Sequence, residues 1–159
     1  MRTVPPGTRG SFSMIVTAEH LANRFKDATL PPVLATPVMI MAMENAALEA
    51  LKPYFEAGES AVGTRVDVTH LAPTPVGRRI VAHAEVTGSN GRQVEFLVNA
   101  MDGMEEIGRG THRRAVIDLR RLTNKRTLVM DLDAELGEVS LLFGIQPQFN
   151  LVDLIQNFH

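Results

Sequence analysis

The segment from residue 35 to residue 53 constrains the fold more than any other, because it is long and almost wholly apolar. Its sequence, ATPVMIMAMENAALEALKP, is rich in the strong helix formers Ala, Met, Leu and Glu. Thr36 suits the N-cap, Pro37 suits the first helical position, and Pro53 ends the run. The pattern predicts a single long helix against which the rest of the domain must pack.

Glu44 interrupts the apolar surface of this predicted helix. At about 100° per residue, the residues within about 60° of Glu44 are all apolar: Pro37, Ile40, Met41, Ala47, Leu48 and Leu51. An ionised carboxylate in the middle of such a face is costly unless it is paired. Glu44 is therefore either a structural carboxylate satisfied by a neighbouring group or a functional one.

A first strand precedes this helix, and from residue 61 to residue 119 the chain has the two-residue period of β-strands. We predict strands over residues 11–17, 61–71, 79–87, 93–101 and 107–119, joined by short turns such as GSNGR. In the second of these strands, strict alternation places five residues on one face: Val62, Thr64, Val66, Val68 and His70.

One strand, one long helix and four further strands make an α+β fold with an antiparallel sheet. Because the helix is apolar around about two-thirds of its girth, we expect a curved sheet wrapped around one long central helix, which is the hot-dog arrangement. A single such unit leaves an edge strand and one flank of the helix uncovered, and this predicts a homodimer.

Composition excludes several classes of protein. A chain of 159 residues that is 45% hydrophobic supports one domain with one core. The net charge of −2 does not favour nucleic acid binding, and the absence of cysteine excludes disulfides and Cys-based metal sites. No apolar run is long enough to span a bilayer, and the N-terminus lacks the pattern of a signal peptide. We expect a cytoplasmic protein with no membrane or nucleic acid partner.

Three segments give the chain a specific resemblance. They are ATPVMIMAME, GTRVDVTHLAPTPVG and GRQVEFLVNAMDGMEEIGRGTHRRAV, which begin at residues 35, 63 and 91. Over residues 33–118 the chain resembles the fluoroacetyl-CoA thioesterase group of hot-dog thioesterases. In that group a Thr at the helix start, a Glu eight residues later and a His twenty-six residues beyond it form the catalytic set. Thr36, Glu44 and His70 have these spacings.

The resemblance implies an acyl-CoA thioester hydrolase that needs no cofactor beyond the coenzyme A of its substrate. Thr36 would position the substrate, and His70 would pair with Glu44 of its own chain or of a partner subunit. Glu44 would either attack the thioester carbonyl or activate water, and the sequence leaves both routes open.

Three further positions follow from the resemblance. Gly63 matches a glycine that the family keeps beside the acyl pocket, and Arg114 matches an arginine near the active site. Leu30 stands where the family has a lid phenylalanine, so we expect a small or medium acyl group rather than fluoroacetyl specificity. No metal site is expected, since the histidines lack ligand spacing.

Two other functions stay open at this point. One is a non-catalytic hot-dog protein that binds acyl-CoA or another small ligand, and the other is a hot-dog acyl-thioester hydratase. The resemblance supports a thioesterase-like domain over residues 1–122. Residues 123–159 would then be a C-terminal extension that packs on this domain or on its dimer mate.

Overall fold

A computed structural model of the chain describes residues 1–25 and 27–119. Five strands and one long helix account for most of them. The strands are β1 (Arg9–Ile15), β2 (Glu59–His70), β3 (Arg79–Asn90), β4 (Gln93–Asp102) and β5 (Glu105–Asp118), and the helices are α1 (Ala22–Phe25) and α2 (Thr36–Leu51). The predicted α+β order of one strand, a long helix and four strands is confirmed.

The strands form one antiparallel sheet in the order β1-β3-β4-β5-β2. Short turns join β3 to β4 and β4 to β5, and Gly91 and Gly103 supply the positive φ angles that these turns require. The order leaves β1 and β2 at the two edges of the sheet. β2 therefore pairs through one side only within residues 1–25 and 27–119.

Helix α2 begins one residue earlier than an N-cap at Thr36 would require. The N-cap is Ala35, which is extended with φ −72° and ψ 138°, and no side chain caps the helix there. Thr36 is the first helical residue, so the prediction that its hydroxyl caps α2 is wrong. That hydroxyl has another partner, described below. Pro37 follows at the helix start as expected, because its missing N–H costs nothing there.

The core lies between α2 and one face of the sheet. Small side chains on the helix allow a close approach, and a side chain on Gly10 of β1 would overlap the backbone of Ala46 and Ala50. The buried helix residues are Val38, Met39, Ala42, Met43, Ala46, Ala47, Ala50 and Leu51. They meet alternate residues of two inner strands, which are Ile80, Ala82, Ala84 and Val86 of β3 and Val94, Phe96, Val98 and Ala100 of β4.

The sheet covers a different side of α2 from the one that the sequence indicated. On a helical wheel, the centre of the buried face lies about 130° from Glu44. The expectation that Glu44 sits in the middle of the buried face is therefore wrong. Because α2 is apolar around most of its girth, its sequence does not distinguish the side that packs on the sheet from the side that stays uncovered. Along the uncovered flank lie Pro37, Met41, Glu44 and Leu48, all exposed or half-buried.

Within residues 1–25 and 27–119, no helix is both long and apolar enough to cross a membrane. The cytoplasmic location stays a prediction. The predicted C-terminal extension, residues 123–159, lies outside the described residues.

Candidate active site

Thr36 and His70 lie side by side at one end of the sheet. Thr36 begins α2 and His70 ends β2, and Thr36 Oγ1 is 3.0 Å from His70 Nδ1. This hydrogen bond joins the start of the helix to the end of the edge strand. Two of the three predicted catalytic residues, Thr36 and His70, are thus in contact within a single chain.

The other ring nitrogen of His70 is unoccupied. Nε2 is buried and has no hydrogen-bond partner within the described part of the chain. Burial lowers the pKa of His70 below its ordinary value of 6.5, although the nearby Ala72 backbone offsets part of this by favouring the protonated form. His70 is therefore neutral at pH 7 and retains the capacity to exchange a proton through Nε2.

Glu44 lies elsewhere, two turns further along α2. Eight residues of helix span about 12 Å, so the same-chain pairing of His70 with Glu44 does not occur. Instead, Glu44 Oε1 is 3.6 Å from His112 Nε2 and 3.9 Å from Arg114 Nη1. Its side chain is 36% exposed, because it emerges on the uncovered flank of the helix.

Arg114 is buried behind Glu44, with only 6% of its surface exposed. Its guanidinium donates to the Glu44 main-chain oxygen (3.1 Å) and to the Ala61 oxygen (2.7 Å). Burial lowers the pKa of Arg114, and the Glu44 charge partly offsets this shift. Arg114 therefore contacts Glu44 from within the core. Its predicted role as a substrate contact stays a prediction.

His112 belongs to the same cluster, and the sequence did not single it out as a site residue. Its Nδ1 lies 2.9 Å from the Arg65 carbonyl, its Nε2 lies 3.2 Å from Arg114 Nη1, and its ring stacks on Phe96. The two-residue period of the strand could have identified His112 as buried, since His112 and Arg114 lie four and two residues before Val116, a core residue of the same strand. Polar residues that share a face with a core residue are buried.

A β-bulge in β2 brings Gly63 into this cluster. Gly63 pairs with Arg114 and Arg65 with Arg113, so Thr64 is an extra residue in the ladder. The predicted single face from Val62 to His70 is therefore wrong. Residues before the bulge alternate in the opposite phase from those after it.

Gly63 stands directly against the carboxylate of Glu44. A Cβ at this position would overlap Glu44 Oε1 and lie 3.1 Å from His112 Cε1. The absence of a side chain is what leaves room for the carboxylate. The structure thus gathers Gly63, Glu44 and Arg114 into one group and Thr36 and His70 into another.

Leu30 takes part in neither of these two hydrogen-bonded groups. It ends a turn in which its N–H donates to the Asp27 oxygen at 3.0 Å, and its surface is 36% exposed. The turn lies in the connector between α1 and α2. The role of Leu30 in contacting the substrate stays a prediction.

Comparison with known proteins decides the family. Residues 16–120 match the family model described as fluoroacetyl-CoA-specific thioesterase. The chain belongs to this family. A fluoroacetyl-CoA thioesterase from Streptantibioticus cattleyicolor is 45% identical over 110 residues, which make up 69% of this chain and 79% of that protein.

Solved structures agree with this assignment. The structure of a fluoroacetyl-CoA thioesterase aligns with a TM-score of 0.73 at 36% identity, covering 79% of this chain and 99% of the other. A thioesterase superfamily member from Thermus thermophilus aligns with a TM-score of 0.72 at 30% identity, covering 77% and 90%. The predicted hot-dog fold and the predicted thioesterase class are confirmed.

Proposed function

We propose that this thioesterase hydrolyses the CoA thioester of a small or medium acyl group, with Thr36, His70 and Glu44 as its catalytic residues. The observation that carries the proposal is the Thr36–His70 hydrogen bond at the start of α2. As the first helical residue, Thr36 has a backbone N–H without a partner inside the helix. A thioester oxygen placed here meets this donor and the positive end of the helix dipole.

Glu44 reaches this end of the site from a second copy of the chain. It lies about 12 Å from Thr36 along the same helix axis, too far to act on a carbonyl held there. The uncovered flank of α2 carries Met41, which is 41% exposed, together with Glu44. Edge strand β2 exposes Val66 on the same side as His112, its partner across the ladder. These features support a homodimer in which α2 and β2 of two copies face each other.

Two chemical routes are consistent with this arrangement. In the first, a Glu44 oxygen attacks the thioester carbonyl carbon, the carbon–sulfur bond breaks, and coenzyme A leaves as its thiolate. Water then opens the mixed anhydride, and His70 accepts its proton. In the second, Glu44 and His70 together activate water, and Glu44 accepts its proton as the water attacks the carbonyl directly. In both routes the thiolate takes up a proton and Thr36 holds the substrate by hydrogen bonds.

The acyl group is set by what surrounds Thr36 and His70. Two of the relatives named above are fluoroacetyl-CoA thioesterases, and the family has an aromatic lid where this chain has Leu30. Leucine keeps the lid apolar but removes a ring, which leaves more room beside the acyl chain. We therefore expect the fluoroacetyl preference to be weaker here and a wider range of short acyl groups to be accepted.

Thiol release from a panel of acyl-CoAs tests the proposal. The panel contains fluoroacetyl-CoA and straight-chain thioesters of increasing length. We expect the wild type to release coenzyme A and Glu44→Gln and His70→Ala to lose roughly 100-fold or more in kcat. His83→Ala is the matched control, because His83 is an exposed histidine on β3.

Each other outcome has a defined meaning. A folded wild type that binds acyl-CoA but releases no thiol would leave only a binding role. Variants as active as the wild type would show that the chemistry lies on other residues. A preference for fluoroacetyl-CoA over acetyl-CoA as strong as in the relatives would contradict the argument from Leu30.

A further inference from the structure

His112 is the most enclosed titratable group in the site, and the proposed reaction gives it no task. Only 3% of its surface is exposed, and both ring nitrogens are engaged. A buried polar residue with both of its nitrogens satisfied cannot contact a substrate. It can, however, determine where its neighbours lie.

The hydrogen bonds define the tautomer of His112. A carbonyl oxygen can only accept, so Nδ1 carries the hydrogen and donates to the Arg65 oxygen at 2.9 Å. Burial lowers the pKa of His112 below 6.5, and although the Arg65 carbonyl and Glu44 oppose this shift, the ring is neutral at pH 7. Nε2 is then a lone-pair acceptor directed at Arg114.

Arg114 depends on this acceptor because it has few others. Its Nη1 faces the Glu44 main-chain oxygen and His112 Nε2, its Nη2 donates to the Ala61 oxygen, and its buried Nε has no partner within the described residues. Every acceptor that remains without His112 is a main-chain oxygen. Loss of His112 Nε2 would free Nη1 to turn away from the carboxylate.

We propose that His112 is a positioning residue for Glu44: by accepting from Arg114, it holds the guanidinium against the carboxylate and the main chain of Glu44. The proposal rests on the proposed function, in which Glu44 is the catalytic carboxylate. Since Glu44 Oε1 lies 3.6 Å from His112 Nε2 and 3.9 Å from Arg114 Nη1, a small rotation of Arg114 changes the surroundings of the reacting group.

His112 also makes a contact that acts on the fold, and the test separates its effect from that of the contact with Arg114. The Nδ1 bond to the Arg65 oxygen fastens the β-bulge. Asparagine at 112 places an amide N–H near the position of Nδ1, whereas glutamine places an amide oxygen near the position of Nε2. His112→Asn therefore keeps the bond to the bulge and His112→Gln keeps the acceptor for Arg114.

Steady-state thiol release by wild type, His112→Gln, His112→Asn and Glu44→Gln tests the proposal, with thermal unfolding of each variant as a check on folding. We expect His112→Gln to keep kcat within about threefold and His112→Asn to lose about 10- to 100-fold in kcat with little change in KM. If His112→Asn does not fold, His112→Phe replaces it, since phenylalanine keeps the stacking on Phe96 but accepts no hydrogen bond.

The proposal is overturned if His112→Asn is as active as the wild type, or if it is more active than His112→Gln. In either case an active wild type and an inactive Glu44→Gln would leave the thioesterase function intact. If the wild type releases no thiol, or if Glu44→Gln is fully active, the proposed function fails and the role of His112 fails with it.

Discussion

The two halves of the proposed catalytic set are built in opposite ways. At the start of α2, Thr36 and His70 share a single side-chain hydrogen bond, and His70 Nε2 has no partner within the described residues. Around Glu44, His112 uses both ring nitrogens and Arg114 reaches three acceptors. The unpartnered atom of the first pair is a histidine nitrogen that can exchange a proton, whereas the unpartnered atom of the second group within the described residues is Arg114 Nε, which can only donate.

This difference indicates a division of labour. A side chain with an unused donor or acceptor can bind a reacting molecule, whereas one whose groups are all engaged can only fix its neighbours. Thr36 and His70 are suited to meet the thioester. The residues around Glu44 are suited to hold one carboxylate in place while it faces outward, where a second subunit of the proposed homodimer would present the other half of the site.

The largest effect should come from filling the space beside Glu44. Gly63→Ala adds a Cβ that overlaps Glu44 Oε1, so the carboxylate must move. We expect kcat/KM to fall by roughly 100-fold or more, because displacement of a reacting group by about 1 Å has effects of this size.

Gly88→Ala is the matched control for this change. Gly88 also lies in a strand, and a Cβ there meets nothing within 4 Å. Acyl-CoA hydrolysis by both variants is measured after their unfolding temperatures confirm that they fold. Full activity of Gly63→Ala would show that Glu44 does not act from the position described.

A smaller loss should follow when the Thr36–His70 pair is broken. Thr36→Val keeps the shape of the side chain but removes the hydroxyl that bonds to Nδ1. We expect kcat to fall by about 10- to 100-fold, and we expect Thr36→Ser to restore it to within about threefold. If serine fails to restore activity, the methyl group rather than the hydroxyl of Thr36 is the important part.

Mixed dimers test whether the two halves belong to different subunits. Co-expression of His70→Ala and Glu44→Gln chains gives heterodimers with one intact site, so random pairing should restore about a quarter of wild-type activity. Co-expression of Thr36→Val and His70→Ala should restore nothing, because both changes fall in the same half. Restored activity in the second mixture, or none in the first, would contradict the shared site.

The smallest effect concerns stability against pH. Burial lowers the pKa of His70 and His112, so below pH 6.5 the unfolded chain binds protons that the folded chain does not. The free energy of unfolding should therefore fall as the pH drops below about 6.5, by at most about 1.4 kcal/mol per pH unit for each histidine.

Urea unfolding between about pH 5 and 8 measures this slope. The wild type is compared with His112→Gln, which should have a shallower slope. An unchanged slope in His112→Gln would show that His112 titrates equally in the folded and unfolded chains.

Local patterns predicted the elements of the fold. The helical period between two prolines predicted α2 to within a residue at each end. The alternation of strands with glycine-containing turns predicted the order of the strands along the chain. These signals reside within short stretches of chain. The side of α2 that meets the sheet could not be predicted in the same way, because Ile40, Met41 and Leu48 are as apolar as Met39 and Met43.

Features that depend on pairing between distant strands were also missed. The contact of His112 with Arg65 and Glu44 requires β5 to lie beside β2 in one register and α2 to lie over both. Thr64 offers no special residue type to mark it as the bulge. Only the register of β2 against β5 distinguishes it.

The extra residue at Thr64 means that the site depends on how β2 pairs as well as on its residue types. An unbroken ladder over the same residues would pair Thr64 with Arg114 and turn Ala61 and Gly63 to the outer face of the sheet, while His70 kept its position. Such a strand would be more regular, and it would present the side chain of Thr64 to Glu44 where the site requires no side chain at all.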